Sequence, residues 1–456
     1  MLDKLFHLRE NNTNSKTEIV AGITSFMTIA YILAVNPNIL SETGMDKNAV
    51  LLATTFAAFF GTMAMAFLAN YPFVLAPGMG LNAYFAYTVV LGRGYSWQLA
   101  LLAVFAEGII FILMSLTNVR ESIFNAIPKT LKSAVSVGIG MFITFVGLQN
   151  AKLIVANSAT LVTYQHFKGE LFASVGIGAI LALTGTLITA VMMVKNVKGS
   201  ILYGIVITWL MGIICEITGI YVPNPDAGMF SVIPLGLISF DFSSITKTFG
   251  QVFDFSTINI GVFDFIVVVF AFLFVDLFDT LGTLIGVSEN AGMLDENGKL
   301  PRVRGALLAD ALATTVGAVL GTSTTTTVVE SASGVAQGGR TGLTAVTAAV
   351  LFLVSAVFSP VFLAIPSFAT APALIIVGFL MMGSISKIDF SDKSEAIPAF
   401  LTIIAMPLAY SVAEGIAIGF ISWTLINLII GKSKEKNINP LMYVLTVLFI
   451  LKYIML

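Results

Sequence analysis

Stretches of predominantly apolar residues recur from one end of this chain to the other, broken by short polar segments. A helix needs about 20 such residues to cross the hydrocarbon core of a bilayer. The pattern predicts spans at 18–40, 49–70, 72–91, 97–117, 131–150, 171–194 and 199–220. After a longer, mildly acidic connection it predicts 262–286, 303–320, 323–338, 342–364, 370–385, 395–410 and 411–430. One more apolar stretch, 440–456, follows the lysine cluster "GKSKEKN". Lys452 near its end can snorkel, so the stretch either crosses the bilayer or lies along it. The expected fold is an all-α polytopic membrane protein with 14 transmembrane segments.

Seven spans, a loop and seven more put the second half in the opposite orientation, because seven is odd. Inverted repeats of this kind belong to secondary transporters, whose binding sites lie near the midplane at broken helices. The third span of each half breaks the apolar pattern. One reads "YPFVLAPGMGLNAYFAYTVV"; the other begins "GTSTTTTVVESASGVAQGGRTG". Proline and clustered threonines oppose a continuous helix. Non-helical backbone at that depth is tolerated only where protein or a water-lined cavity satisfies it. Each break read alone has a plain alternative, a packing kink at "APGMG" or threonines bonding back to helix carbonyls. Their matching positions favour a pair of half-helices, each preceded by β-prone or proline-containing residues.

Composition fits this frame. Hydrophobic residues make up 57% of the 456 and charged ones 11%, against about 25% charged in soluble proteins. Under an alternating topology with the amino terminus inside, seventeen of the 23 Lys and Arg fall on the cytoplasmic side, five outside, with Lys452 set aside. That bias agrees with the positive-inside rule. The opening "MLDKLFHLRENNTNSK" lacks the apolar stretch of a signal peptide, so it is expected to stay in place and cytoplasmic. A formal charge of −2 and the lack of a basic patch suggest no nucleic-acid partner. One cysteine, Cys215, and two distant histidines, His7 and His166, suggest neither a disulfide nor a metal site. No cofactor is expected.

The acids within spans carry the candidate chemistry: Glu107, Asp276, Asp279, Asp310, Glu330 and Glu414. Each costs roughly 2.5–3.5 kcal/mol at the bilayer centre on insertion scales, which marks such groups as functional candidates. Asp276 and Asp279 of "FAFLFVDLFDTLGTLIG" fall on one helix face, with Thr280 and Thr283 nearby. Two carboxylates that close repel when both are ionised, so one is expected to hold a proton. The alternative for Asp279 is capping of a neighbouring broken helix. Asp310 and Glu107 read equally as hydrogen-bonding anchors for neighbouring spans. Glu414, near a predicted turn, receives no role.

Three stretches in order, "APGMGLNAYFAY", "FVDLFDTLGTLIGV" and "TSTTTTVVESASGVAQGGRTGLTAV", resemble the purine permeases of the nucleobase–cation symporter-2 (nucleobase/ascorbate transporter) superfamily. The resemblance is strongest to its azaguanine-transporter-like branch, which carries adenine, guanine and hypoxanthine. "EIVAGITSFMTIAYILAVNP" and "SFATAPALIIVGFLMMGSI" extend it over essentially the whole chain. It implies a short β-strand in each of the broken spans 3 and 10, a core domain (1–117 with 262–364) moving past a gate domain (118–220 with 365–431), an extracellular connection at 221–261 and a tail at 432–456. By motif position it implies that Asn82, Asp276 and Glu330 bind substrate, that Gly80 permits close approach of a base, and that Asp279 serves the transport cycle. An aromatic such as Phe274 or Tyr84 would cover the ring.

The implied function is import of purine nucleobases by proton symport across the plasma membrane, with Asp276, Asp279, Asp310 and Glu330 as candidate proton carriers. Guanine and hypoxanthine suit a carboxylate better than adenine, since their N1–H lies beside a carbonyl. A homodimer is plausible for the family. The rival readings are an anion or other small-solute transporter of the related sulfate-permease-like fold, a channel, and a membrane-embedded enzyme. Acids converging on the site argue against an anionic substrate, and the spans hold no nucleophile–His pair.

Overall fold

The computed structural model describes residues 2–455 except 117–126, 166–168, 170, 235, 258–259, 291–292, 294–299, 433–435 and 437. His166, Arg120, Lys168, Lys299 and Lys434 therefore lie outside the described residues, and so does the proposed boundary at 117–118.

The chain folds as helices with two broken segments. Helices α1 (Ser15–Ser41), α2 (Lys47–Leu68), α4 (Trp97–Ser115), α5 (Lys129–Asn150), α6 (Phe172–Val194) and α7 (Ser200–Ile217) occupy the first half. Helices α9 (Val303–Leu320), α11 (Gly342–Leu363), α12 (Ser367–Lys387) and α14 (Val412–Ile429) belong to the second. These ten are long and apolar enough to cross a membrane by length and composition. Between them run α8 (Val262–Asn290) and α13 (Lys393–Leu408). The end helix α15 (Pro440–Met455) packs against α14, so the last apolar stretch is docked on the bundle.

The third and tenth segments are not continuous helices. In the first half, strand β1 (Leu75–Pro77) leads into half-helix α3 (79–92), whose later turns are π-helical. A β-hairpin, β2 (Ile154–Asn157) with β3 (Leu161–Tyr164), follows α5. In the second half, strand β4 (Thr325–Thr327) leads into the short half-helix α10 (Ser331–Ala336). The two breaks meet: β1 and β4 pair antiparallel, with Leu75 opposite Thr327, Ala76 opposite Thr326 and Pro77 opposite Thr325.

Packing divides the helices into two groups. Helix α9 lies against α2 and α4, and α11 against α1 and α2; α12 lies against α5, α6 and α7, and α13 against α5 and α14. Small residues permit the close approaches, as in other helix bundles of the membrane. A Cβ at Gly61 of α2 would stand 2.5 Å from the Ala313 Cβ of α9. One at Gly378 of α12 would stand 2.0 Å from Thr144 Oγ1 and 2.4 Å from the Gly140 carbonyl of α5. The pair α5–α12 is thus held at a backbone separation that only glycine allows.

Gly378→Val is expected to lower stability by about 1–3 kcal/mol through overpacking, read as a fall in the unfolding temperature of detergent-solubilised protein. Gly383→Ala, where a Cβ meets nothing within 4 Å, should leave it unchanged. Equal melting of the two variants would refute the α5–α12 contact.

Candidate functional site

The strand pair comes first, because everything near it is arranged to satisfy backbone that no helix serves. Beyond the ladder, Gly78 N–H donates to the Thr324 carbonyl and Val328 N–H to that of Val74, both at 3.1 Å. Helix hydroxyls finish the work in matching fashion. Thr62 of α2 accepts from Leu75 N–H at 3.0 Å, and Thr314 of α9 donates to the Thr325 carbonyl at 3.0 Å. Ser331 at the start of α10 accepts from Val74 N–H at 2.9 Å. Buried backbone groups without partners would cost several kcal/mol each in hydrocarbon.

The side chains of residues 322–327 are buried, and four of them reach four different helices. Thr322 accepts from the Asn36 amide of α1 at 2.9 Å. Ser323 donates to the Asn82 amide oxygen of α3. Thr324 donates to Glu107 of α4 at 2.7 Å. Thr326 donates to Asp310 of α9 at 3.0 Å, and the same carboxylate oxygen receives Thr327 N–H at 3.0 Å. The run therefore holds the acids and the amide in place.

The two acids of α8 separate. Asp276 is buried and accepts from Thr280 one turn later at 2.8 Å. Thr280 also lies 3.0 Å from Asp310 and 2.5 Å from Thr326. Asp276, Thr280, Asp310 and Thr326 thus form one cluster linking α8, α9 and β4. Asp279 sits beside β1 and is partly accessible: a Cβ on Gly78 would stand 3.1 Å from its carboxylate. Its charged neighbours are Glu330 and Asp310. Glu330 itself, also partly accessible, accepts from the Tyr31 hydroxyl at 2.5 Å.

The remaining expected residues fall as follows. Asn82 is fully buried on α3. At Gly80 the close neighbour is Ile139 of α5, whose Cγ2 a Cβ would meet at 2.8 Å. Phe274 packs edge-on against Phe420 at 5.0 Å and near Phe270 and Phe449, toward α14 and α15. The Tyr84 ring meets Phe272 edge-on at 4.7 Å.

Sequence reasoning missed several participants. Tyr31 stands where α1 is interrupted at residues 30–31, and an isolated tyrosine in an apolar run gave little signal. Glu18 lies at the predicted edge of the first span and so falls outside the acids counted there. It is fully buried and accepts from Arg340 N–H at 2.9 Å and Thr344 Oγ1 at 2.6 Å, capping the start of α11. Glu414, given no role, pairs with Arg93 at 3.8 Å and accepts from Tyr453. Among the described residues no group of three or more His, Cys, Asp or Glu is arranged to hold a metal ion.

Comparison with known proteins then decides the family. A model of the permease family matches residues 16–418. The chain belongs to that family. It is 49% identical to the putative permease MJ0326 of Methanocaldococcus jannaschii over 99% of this chain and 98% of that one. It is 46% identical to the guanine/hypoxanthine permease PbuO of Bacillus subtilis, covering 98% and 99% of the two chains. It is 39% identical to the adenine permease AdeP of Escherichia coli, covering 100% and 96%. The family is one of permeases, not enzymes, and the resemblance read from the motifs holds. Among solved structures, the transmembrane domain of the cyanobacterial bicarbonate transporter BicA superposes with a TM-score of 0.64 at 16% identity, over 88% of this chain and 96% of that one. The murine anion transporter Slc26a9 gives 0.62 at 11%, over 91% and 68%. These likenesses place the fold.

Thr280→Val removes the hydroxyl shared by Asp276, Asp310 and Thr326, and is expected to destabilise the protein by about 1–3 kcal/mol. Thr280→Ser should keep most of that stability in the same thermal-unfolding assay. If valine melts like the wild type, the cluster does not hold α8 to α9.

Proposed function

We propose that this permease carries purine nucleobases across the plasma membrane, importing them together with a proton. The observation that carries the reading is the β1–β4 pair, flanked by the amide of Asn82 and by carboxylates from α4, α8, α9 and the cap of α10. A purine is flat and uncharged, with N–H donors beside ring-nitrogen or carbonyl acceptors. Carboxylates accept from adjacent N–H groups, and Asn82 both donates and accepts. Asn82, Asp276 and Glu330 are the proposed contacts, with Gly80 leaving room for the base and Phe274 or Tyr84 lining its approach. Relatives named as guanine/hypoxanthine and adenine permeases support the substrate class. The oxopurines are favoured by the chemistry of a carboxylate facing an N1–H.

Proton coupling has its own support. Thr280 and Thr326 bring two hydroxyl protons to four oxygen–oxygen contacts of 2.5–3.0 Å, with each other and with Asp276 and Asp310. A proton on either carboxyl would fill a further contact. Asp279, next to Glu330 and Asp310 but outside that hydroxyl network, is assigned to the transport cycle.

Fourteen crossings are proposed, with α3 and α10 as two of them, the amino terminus inside, and α1–α4 with α8–α11 as a core moving past α5–α7 and α12–α14. A unit charge falling through 100 mV contributes about 2.3 kcal/mol, enough to drive modest accumulation. The anion-carrier reading is weaker: its relatives share the fold at 16% identity or less, and acids at the site repel an anion.

Hypoxanthine uptake into energised vesicles should fall to equilibrium when a protonophore is added; undiminished accumulation would remove the proton from the mechanism. Glu330→Ala and Asp276→Asn should abolish hypoxanthine binding, whereas Asp279→Asn should reduce transport far more than binding. Wild-type uptake by Glu330→Ala would overturn the site.

A further inference from the structure

A second set of polar groups lies well away from the acid cluster, at the end of the bundle that the charge bias assigns to the outside. A cavity of about 560 Å³ opens there between the ends of α1 and α3 on one side and of α5 and α13, with β2, on the other. Its volume is within the roughly 300–1,000 Å³ typical of small-molecule sites. Glu42, Tyr87, Gln149, Asn150, Lys152 and Tyr410 supply its polar and aromatic wall. These groups already bond to one another across the two helix groups. The Asn150 amide donates to the Tyr87 hydroxyl at 3.1 Å, and that hydroxyl donates to the Glu42 carboxylate at 3.1 Å. The rings of Tyr87 and Tyr410 stand 5.7 Å apart at 72°. Below them Thr88 donates to the Tyr410 carbonyl at 3.3 Å.

Tyr410 (φ 51°) and Lys152 (φ 55°) occupy the left-handed positions that end α13 and α5. Each end is closed by the following N–H, Ser411 to the Met406 carbonyl at 3.0 Å and Leu153 to that of Leu148 at 2.9 Å, which sets both side chains at the opening. Glu42 is exposed, so one accessible carboxylate, two amides and the edge-on rings of Tyr87 and Tyr410, the latter partly accessible, border a single opening.

We propose that this outer cavity is a second nucleobase subsite, occupied before the base reaches the strand pair. The assignment rests on the substrate reading above. Glu42 accepts from the N–H edge of the base, Asn150 meets the adjoining carbonyl or ring nitrogen, and one face of the base lies on Tyr87 or Tyr410. The bound base takes over the partners that Asn150 and Glu42 now give to Tyr87. Arrival of substrate thereby loosens the Asn150–Tyr87 bridge between the two helix groups. Glu42 and Lys152 give the wall one charge of each sign, which suits a neutral heterocycle with paired donor and acceptor atoms.

The test uses the full-length carrier with Cys215→Ser and Gln149→Cys, labelled by a membrane-impermeant maleimide added from outside, with hypoxanthine as the probe. Occupancy slows labelling by the factor 1 + [L]/Kd, about tenfold at nine times Kd. The slowing should persist when Glu330→Ala disables the central site, and should be lost with Glu42→Gln or, as an independent variant, Asn150→Leu. No slowing with hypoxanthine, or slowing that vanishes with Glu330→Ala, overturns the subsite. Slowing that survives both Glu42→Gln and Asn150→Leu overturns it as well. Uptake measured on the Glu330→Ala carrier separates the two readings: normal uptake defeats the central assignment, while protection of the introduced thiol is judged without reference to it.

Discussion

Peptide groups buried in a lipid-embedded bundle must find partners within the protein, and that constraint organises this molecule. Two segments, 73–78 and 322–328, cross the interior as non-helical chain. They meet the constraint by pairing with each other and by borrowing hydroxyls from α2, α9 and α10. Once the strands are fixed, the half-helices that leave them are fixed too. Asn82 stands one turn into α3, and Glu330 stands at the cap of α10. Chemistry near the midplane is then a consequence of how the backbone is satisfied.

The same economy explains the threonine run. A serine or threonine hydroxyl both donates and accepts, so one strand of such residues can serve several helices at once. Asn36, Asn82, Glu107 and Asp310 come from four different elements and each meets a hydroxyl of residues 322–326. Apolar side chains at those positions would strand buried amides and carboxylates, each at a cost of about 1–3 kcal/mol or more. The strand is thus both a hub for the interior polar groups and a wall of the proposed binding region.

Much of this was legible in the sequence, for physical reasons. The apolar pattern and the matching positions of its two interruptions located the breaks, and proline and threonine chemistry identified them as non-helical. The acids stood out because intramembrane charge is costly. What stayed hidden depends on tertiary contact. Helical spacing put Asp276 and Asp279 on one face, yet Asp276 joins Thr280 and Asp310 while Asp279 turns to β1 and Glu330. Tyr31 reaches Glu330 only because α1 is interrupted beside it. Glu18, at a span edge, looks like solvated sequence until α11 is seen to begin on it. That a Cβ at Gly80, the position proposed to leave a base room, would also meet Ile139 of α5 at 2.8 Å depends on a helix distant in the chain.

The proposed movement of one helix group past the other would run along the face where α3 meets α5 and α14. At one end of that face stand Asn150, Tyr87, Arg93 and Glu414; near its middle stand the strand pair and its acids. The central claim is that the crossing strands present Asn82, Asp276 and Glu330 to one uncharged heterocycle. An experimental structure of the carrier frozen with hypoxanthine tests it most directly. The account predicts density for the base between β1 and β4, within hydrogen-bonding distance of those three side chains. A base bound elsewhere, or continuous helices in place of the two strands, would contradict it.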